Sequence, residues 1–130
     1  MAHDALIFDA IRTPRGKGKP GGSLYEVKPI DLLVNLMEAL KSRNELDTSR
    51  VEDLVIACGE PVGEQGQDIA RTAVTYSSWG EATAGLQIHR FCAGGLDAVN
   101  MAAAKVASGS EDLVAAGGVE AMSRLGIGAS

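Results

Sequence analysis

The sequence predicts an α/β fold built on a mostly parallel sheet, and three observations carry that expectation. Short, almost wholly apolar runs alternate with longer segments of helical periodicity, as in strands joined by crossover helices. Aromatic residues are only 4% of a chain that is 45% hydrophobic, so burial falls to Ala, Val, Leu and Ile. Sixteen glycines in 130 residues permit close backbone packing, which suits layers of helix and sheet better than an aromatic-rich sandwich. The length fits one compact domain.

Taken in order, residues 5–11 (Ala-Leu-Ile-Phe-Asp-Ala-Ile) read as a first strand, apolar enough to be buried on both faces. A loop rich in Gly, Pro and Lys follows over 12–28. Pro29 suits the first turn of a helix, in which Ile30, Leu33, Val34, Met37 and Leu40 recur at helical spacing. Lys41 and Arg43 sit near its C-terminal end, where cations complement the helix dipole. Residues 51–58 form a second strand, closed by Gly59 and Pro61, and 59–66 a loop. Asp68 then caps a helix through Ile69, Ala70, Ala73 and Val74. Residues 85–91 read as a third strand, 94–108 as a strongly patterned helix ended by Gly109, and 113–116 as a fourth strand. From Gly117 the chain is Gly-rich loop.

Charge and composition exclude several classes. A net charge of −5 argues against a nucleic-acid surface spread over the chain, because neutralising phosphates requires excess Lys and Arg. No apolar run approaches the roughly 20 residues of a membrane span. Residues 5–11 are broken by Asp9 and lack a preceding basic region, unlike a secretory leader. Two widely spaced cysteines give no disulfide framework, so the cytoplasm is the expected compartment, or an organellar matrix in a eukaryote.

The chemistry concentrates at Cys92. The strand over 85–91 runs into Cys92-Ala93-Gly94-Gly95 and then into the helix beginning at 94. A thiol there stands at the carboxyl end of a parallel strand, where α/β sheets bind ligands. It also faces a helix N-terminus, whose unpaired amides favour a thiolate. Gly94 and Gly95, lacking Cβ atoms, are expected to permit a strained turn and the approach of a bulky thioester. The Cys92 amide is placed to donate to an oxyanion. The following helix is small nearly all round, through Ala98, Ala102, Ala103, Ala104 and Ala107, which predicts burial between layers or subunits.

His89 is not expected to serve as the base. Alternation along a strand sends residues 89 and 92 to opposite faces, leaving a hydrogen-bonded histidine beneath the site. Cys58, within an apolar strand, reads as core.

Two stretches resemble the thiolase family. Arg90-Phe91-Cys92-Ala93-Gly94-Gly95-Leu96-Asp97-Ala98-Val99 is similar to the thiolase nucleophile segment, and Gly117-Gly118-Val119-Glu120-Ala121-Met122-Ser123-Arg124 to the second N-terminal signature. Ile11-Arg12-Thr13-Pro14, and Gly66 to Arg71 in the order Gly-Gln-Asp-Ile-Ala-Arg, support the match. The resemblance implies the first half of a layered α-β-α-β-α fold, with 1–123 as an incomplete N-terminal domain and 124–130 as the start of a loop domain. It implies acyl transfer, with Cys92 the nucleophile that a 3-ketoacyl-CoA or acetyl-CoA acylates before the acyl group passes to coenzyme A or is condensed. Coenzyme A is then a substrate, with no tightly bound cofactor and no metal. The implied partners are the acyl-CoA, the C-terminal half or a companion chain, and further copies in a homodimer or homotetramer. His89 stands where thiolases carry Asn, and the family's activating histidine and second cysteine belong to C-terminal motifs outside these 130 residues. A ketoacyl-synthase-like condensing enzyme is the alternative on the same fold, and a non-catalytic split subunit is the alternative outside enzymes.

Two other patterns carry less. Gly16-Lys17-Gly18-Lys19-Pro20-Gly21 satisfies G-x-G-x-x-G, but no helix opens until Pro29, so a dinucleotide site is not expected. Arg12, Arg15, Lys17, Lys19 and Lys28 make this loop basic on an acidic chain, solvated or else aimed at a phosphate or another subunit. Glu60, Glu64 and Asp68 lack His or Cys neighbours at metal-ligand spacing.

Overall fold

A computed structural model describes residues 4–130. Its order is helix α1 (Pro29–Asn44), strand β1 (Asp53–Ala57), α2 (Ile69–Tyr76), β2 (Ala84–Ile88), α3 (Gly94–Ser108) and β3 (Val114–Gly118). Short 3-10 turns occupy Thr48–Arg50, Gly63–Gln65 and Phe91–Ala93. The three strands are parallel in the order β2-β1-β3, with Val55 opposite both Leu86 and Ala116.

The middle strand explains the layering. All five residues of β1 are buried, and their side chains alternate. Leu54 and Ile56 join Leu33 and Met37 of α1 and Ile69, Ala73 and Val74 of α2 in one core. Val55 and Ala57 pack against Ala98 of α3 on the opposite face. Trp79 closes the larger core, its indole N–H donating to the Met37 carbonyl at 3.0 Å. The helices begin and end as their residues dictate. Pro29 occupies the first turn of α1, Asp68 caps α2 by accepting from the Arg71 amide, and Gly109 stops α3 with φ +75°. The far end of α3 is tied to the sheet by Lys105, whose ammonium lies 2.6 Å from both Asp53 and Glu111.

The expected first strand is absent. Residues 5–11 belong to no helix or strand, and Leu6, Ile7 and Phe8 are 71%, 78% and 83% exposed. An apolar run needs an edge about 5 Å away to become a strand. This one is instead held by Asp9, which accepts from Asn44 at 2.9 Å and pairs with Arg43 at 3.1 Å in the last turn of α1. The expected third strand stops at Ile88 rather than residue 91, because the chain turns at Phe91. The last strand runs on through Gly117 and Gly118. There a Cβ on Gly118 would lie 3.2 Å from the Ala57 carbonyl oxygen.

Gly85 marks where α2 presses on β2, since a Cβ there would lie 2.4 Å from the Arg71 amide nitrogen. Gly85→Ala should therefore destabilise the fold by about 1–3 kcal/mol in urea denaturation. Gly95→Ala, in α3 with nothing within 4 Å of its would-be Cβ, should be neutral or stabilise by up to ~1 kcal/mol. Equal effects at the two positions would contradict this packing.

Candidate active site

The carboxyl ends of the three strands meet at one edge of the sheet, and the Cys92 turn lies on it. The Cys58 amide donates to the Ile88 carbonyl at 3.1 Å, pinning the end of β2 to the end of β1. Beyond Ile88 the chain reverses through Phe91, which adopts φ +47°, and enters a 3-10 turn that continues directly into α3. The Ala93 amide donates to the Arg90 carbonyl at 3.1 Å, and the Gly94 amide to the Phe91 carbonyl. Among the described residues the Cys92 N–H has no acceptor. The thiol is exposed. A nucleophile and an open amide donor thus belong to one residue at a helix N-terminus. Such a pair can form a covalent bond to a carbonyl carbon while stabilising the charge on its oxygen.

The two glycines differ from expectation. Gly94 is ordinarily helical, with φ −57° and ψ −41°, so it carries no strain. Its role is close approach, since a Cβ would lie 2.8 Å from the Ala57 Cβ. Gly95 faces open space. The strain belongs to Phe91, a residue the composition did not mark.

His89 also differs. Because β2 ends at Ile88, strand alternation does not extend to residue 92, and His89 is exposed rather than hydrogen-bonded beneath the site. Its ring meets the Phe91 ring at 4.6 Å between centroids and 63° between planes. Arg90 pairs with Asp97 at 3.2 Å, bridging the turn to the first turn of α3. Cys58 is core, as expected: it is buried, and burial with the nearby Glu120 carboxylate pushes its thiol up to about 11. Helix α3 is covered on one face only, with Gly94, Ala98 and Ala102 buried and Leu96 69% exposed.

The segment after β3 is fastened to the same edge by carboxylates. Glu120 accepts from the Gly59 amide at 2.6 Å and from Gln65 Nε2 at 2.7 Å. Gln65 is fully buried, and its Oε1 accepts from the Ala121 amide at 2.6 Å. Glu64 holds Arg124 through two contacts of 2.6 and 2.8 Å, while Arg124 also donates to the Tyr25 carbonyl at 2.7 Å. Glu60 accepts from the amides of Gly128 and Ser130 at 2.5 and 2.8 Å. Sequence reasoning missed Gln65. A glutamine beside Gly63 and Gly66 has the signature of a solvated turn, and only the return of residues 120–121 buries it.

The basic loop is a wall of a groove of about 1120 Å³, which Arg12, Arg15 and Lys17 share with Leu36 of α1 and Met122. Cys92 does not line it. Residues 16–21 make a tight turn and open no helix, so the glycine pattern has no phosphate-binding context.

Residues 5–130 match the family model described as "Thiolase, N-terminal domain". The chain is 39% identical over 125 residues to a "Beta-ketoadipyl-CoA thiolase" of Pseudomonas knackmussii, covering 95% of this chain and 31% of that protein. It is 35% identical over 124 residues to a "3-ketoacyl-CoA thiolase" of Acinetobacter baylyi, covering 95% and 32%. The solved acetyl-CoA acetyltransferase of Bacillus anthracis superposes with a TM-score of 0.86 at 30% identity, over 95% of this chain and 30% of that one. The chain therefore spans about a third of the length of the proteins it matches.

The carboxylate fastenings titrate. Hydrogen bonds from the Gly128 amide and from Ser130 hold the Glu60 carboxyl below its usual 4.5, and the hydrogen bond from Arg124 does the same for Glu64. A carboxyl lowered by folding contributes stability above its unfolded value and loses it as pH falls through the folded one. Hydrogen-exchange protection of the Gly128 and Ser130 amides should therefore decline as pH drops below 4.5. In Glu60→Gln it should show no such pH dependence, whereas retained dependence would assign the effect to another group.

Proposed function

Since this chain belongs to the thiolase family, we propose that it supplies the acyl-accepting cysteine, Cys92, of a coenzyme A-dependent thiolase-type acyltransferase. The observation that carries the reading is the exposed Cys92 thiol beside its own unpaired amide at the start of α3. In the cleavage direction the Cys92 thiolate attacks the 3-keto carbon of a 3-ketoacyl-CoA. A carbon–sulfur bond forms, and the carbonyl electron pair moves to the oxygen, where the Cys92 N–H donates. Collapse of that oxyanion breaks the bond between carbons 2 and 3. Acetyl-CoA leaves after its carbon 2 takes up a proton, and the acyl group stays on sulfur. A coenzyme A thiolate then attacks the thioester and frees Cys92. Condensation is the reverse.

The family resemblance assigns the base and the proton shuttle to C-terminal motifs. Within the described residues His89 is engaged with Phe91, and Cys58 is buried with a raised thiol. The 130 residues by themselves are therefore expected to give no turnover. We take 1–123 as the N-terminal domain and 124–130 as the opening of a loop domain, acting in the cytoplasm or a comparable reducing compartment on soluble acyl-CoA. No described helix is long and apolar enough to cross a membrane. A second copy is the expected partner for the side of the molecule at β2, the edge strand among the described residues, with Leu86 exposed on it and Leu96 exposed at the start of α3.

Incubating the full-length protein with acetyl-CoA should add one acetyl group to the Cys92 peptide and none in Cys92→Ala. Acetylation elsewhere, or none at all, would sink the proposal. Loading only from an acyl-carrier protein would favour a ketoacyl-synthase-like enzyme instead. In sedimentation, Leu86→Lys with Leu96→Glu should weaken self-association at least tenfold, since each places a charge in an apolar contact. An unchanged oligomer would place the interface elsewhere.

A further inference from the structure

Among the described residues four non-glycine residues adopt positive φ, and three of them lie at the ends of α1 and α2. Glu45 is the left-handed cap of α1, Asp68 is the N-cap of α2, and Gln67 immediately precedes it. Phe91 opens the 3-10 turn into α3 but caps neither element. A bulky aromatic is disfavoured in this region, and Phe91 is 77% exposed, so burial of its ring does not compensate. Strain held in place by its surroundings is a mark of a functional turn.

The surroundings are specific. The Ile88 carbonyl is fixed by the Cys58 amide on one side of the turn. The Arg90–Asp97 pair spans the turn to α3, and the His89 ring braces the Phe91 ring at 4.6 Å. The left-handed step at residue 91 turns the chain so that the Arg90 carbonyl accepts from Ala93. Cys92 then becomes a first-turn residue with a free N–H. An extended backbone at 91 would carry Cys92 away from the start of α3 and dissolve that turn.

We propose that Phe91 is a positioning residue for Cys92, its left-handed backbone held by His89 and the Arg90–Asp97 pair so that thiol and amide are presented together at the start of α3. The inference rests on the reading of Cys92 as acyl acceptor, but it concerns geometry that a simple alkylating reagent also senses. It makes the backbone conformation at 91, rather than the aromatic ring, the property that matters.

The test is the rate at which iodoacetamide alkylates the Cys92 peptide in the full-length protein. Phe91→Asn, which tolerates the left-handed region, should react at the parent's rate and melt no lower. Phe91→Val, β-branched and poorly suited to that region, should react about tenfold more slowly as the reactive conformer is depopulated. Arg90→Gln removes only an exposed ion pair, so it should keep the melting temperature while slowing alkylation about twofold. If the Val variant fails to fold, the Asn and Arg90→Gln arms still decide. Wild-type alkylation in both the Val and Arg90→Gln variants, or an Asn variant tenfold slower than the parent, would overturn the proposal. Acetyl transfer from acetyl-CoA, followed in parallel on the parent protein, separates the two ideas. An intact alkylation series without acetylation would remove the acyl-acceptor reading and leave the positioning role standing.

Discussion

Ala57 and Gly94 meet where the middle strand ends and α3 begins, and there is room for only one methyl group between them. A Cβ on Gly94 would come within 2.8 Å of the one Ala57 already has. That single close approach sets the height of the α3 N-terminus above the sheet, and with it the level of Cys92 two residues earlier. The other end of α3 is set independently by Lys105 against Asp53 at the opposite end of the same strand. A helix held at both ends of one buried strand is a rigid support, which a nucleophile needs if its amide is to meet a developing charge within hydrogen-bond reach.

The edge of the sheet is then laced from the other side. Glu120, after β3, accepts from Gly59, after β1, and Gln65 completes the link by binding both Glu120 and the Ala121 amide. Each is a charge-assisted or buried hydrogen bond, the kind whose loss leaves a peptide group unpaired. The second signature therefore acts on the site through the frame: it holds the strand ends in register while the first signature provides the thiol. The acids after β1, Glu60 and Glu64, bind peptide N–H groups and Arg124.

Much of this is legible in the sequence. Pro29 and Gly109 punctuate helices in ways that follow from the proline ring and from glycine's tolerance of positive φ, so the start of α1 and both ends of α3 fall where the sequence predicts. Cys92 stands out as a candidate because a cysteine between a strand and a Gly-Gly helix start is a local pattern. The failures share a cause. Residues 5–11 have strand composition, but pairing depends on an edge that only the tertiary structure can offer. Gln65 is buried by a segment 55 residues away. The strain sits on Phe91, not on a glycine, because neighbouring side chains hold it, and no propensity scale records neighbours.

The central claim, that the Gly94–Ala57 approach places Cys92, is tested most directly by a compensating pair in the full-length protein. Gly94→Ala should slow Cys92 acetylation by acetyl-CoA about tenfold, since a displacement of an ångström at a reacting group commonly reduces rates by one to two orders of magnitude. Adding Ala57→Gly, which removes the opposing methyl, should restore most of that rate. A Gly94→Ala variant that acetylates normally, or a loss that Ala57→Gly leaves untouched, would contradict the account.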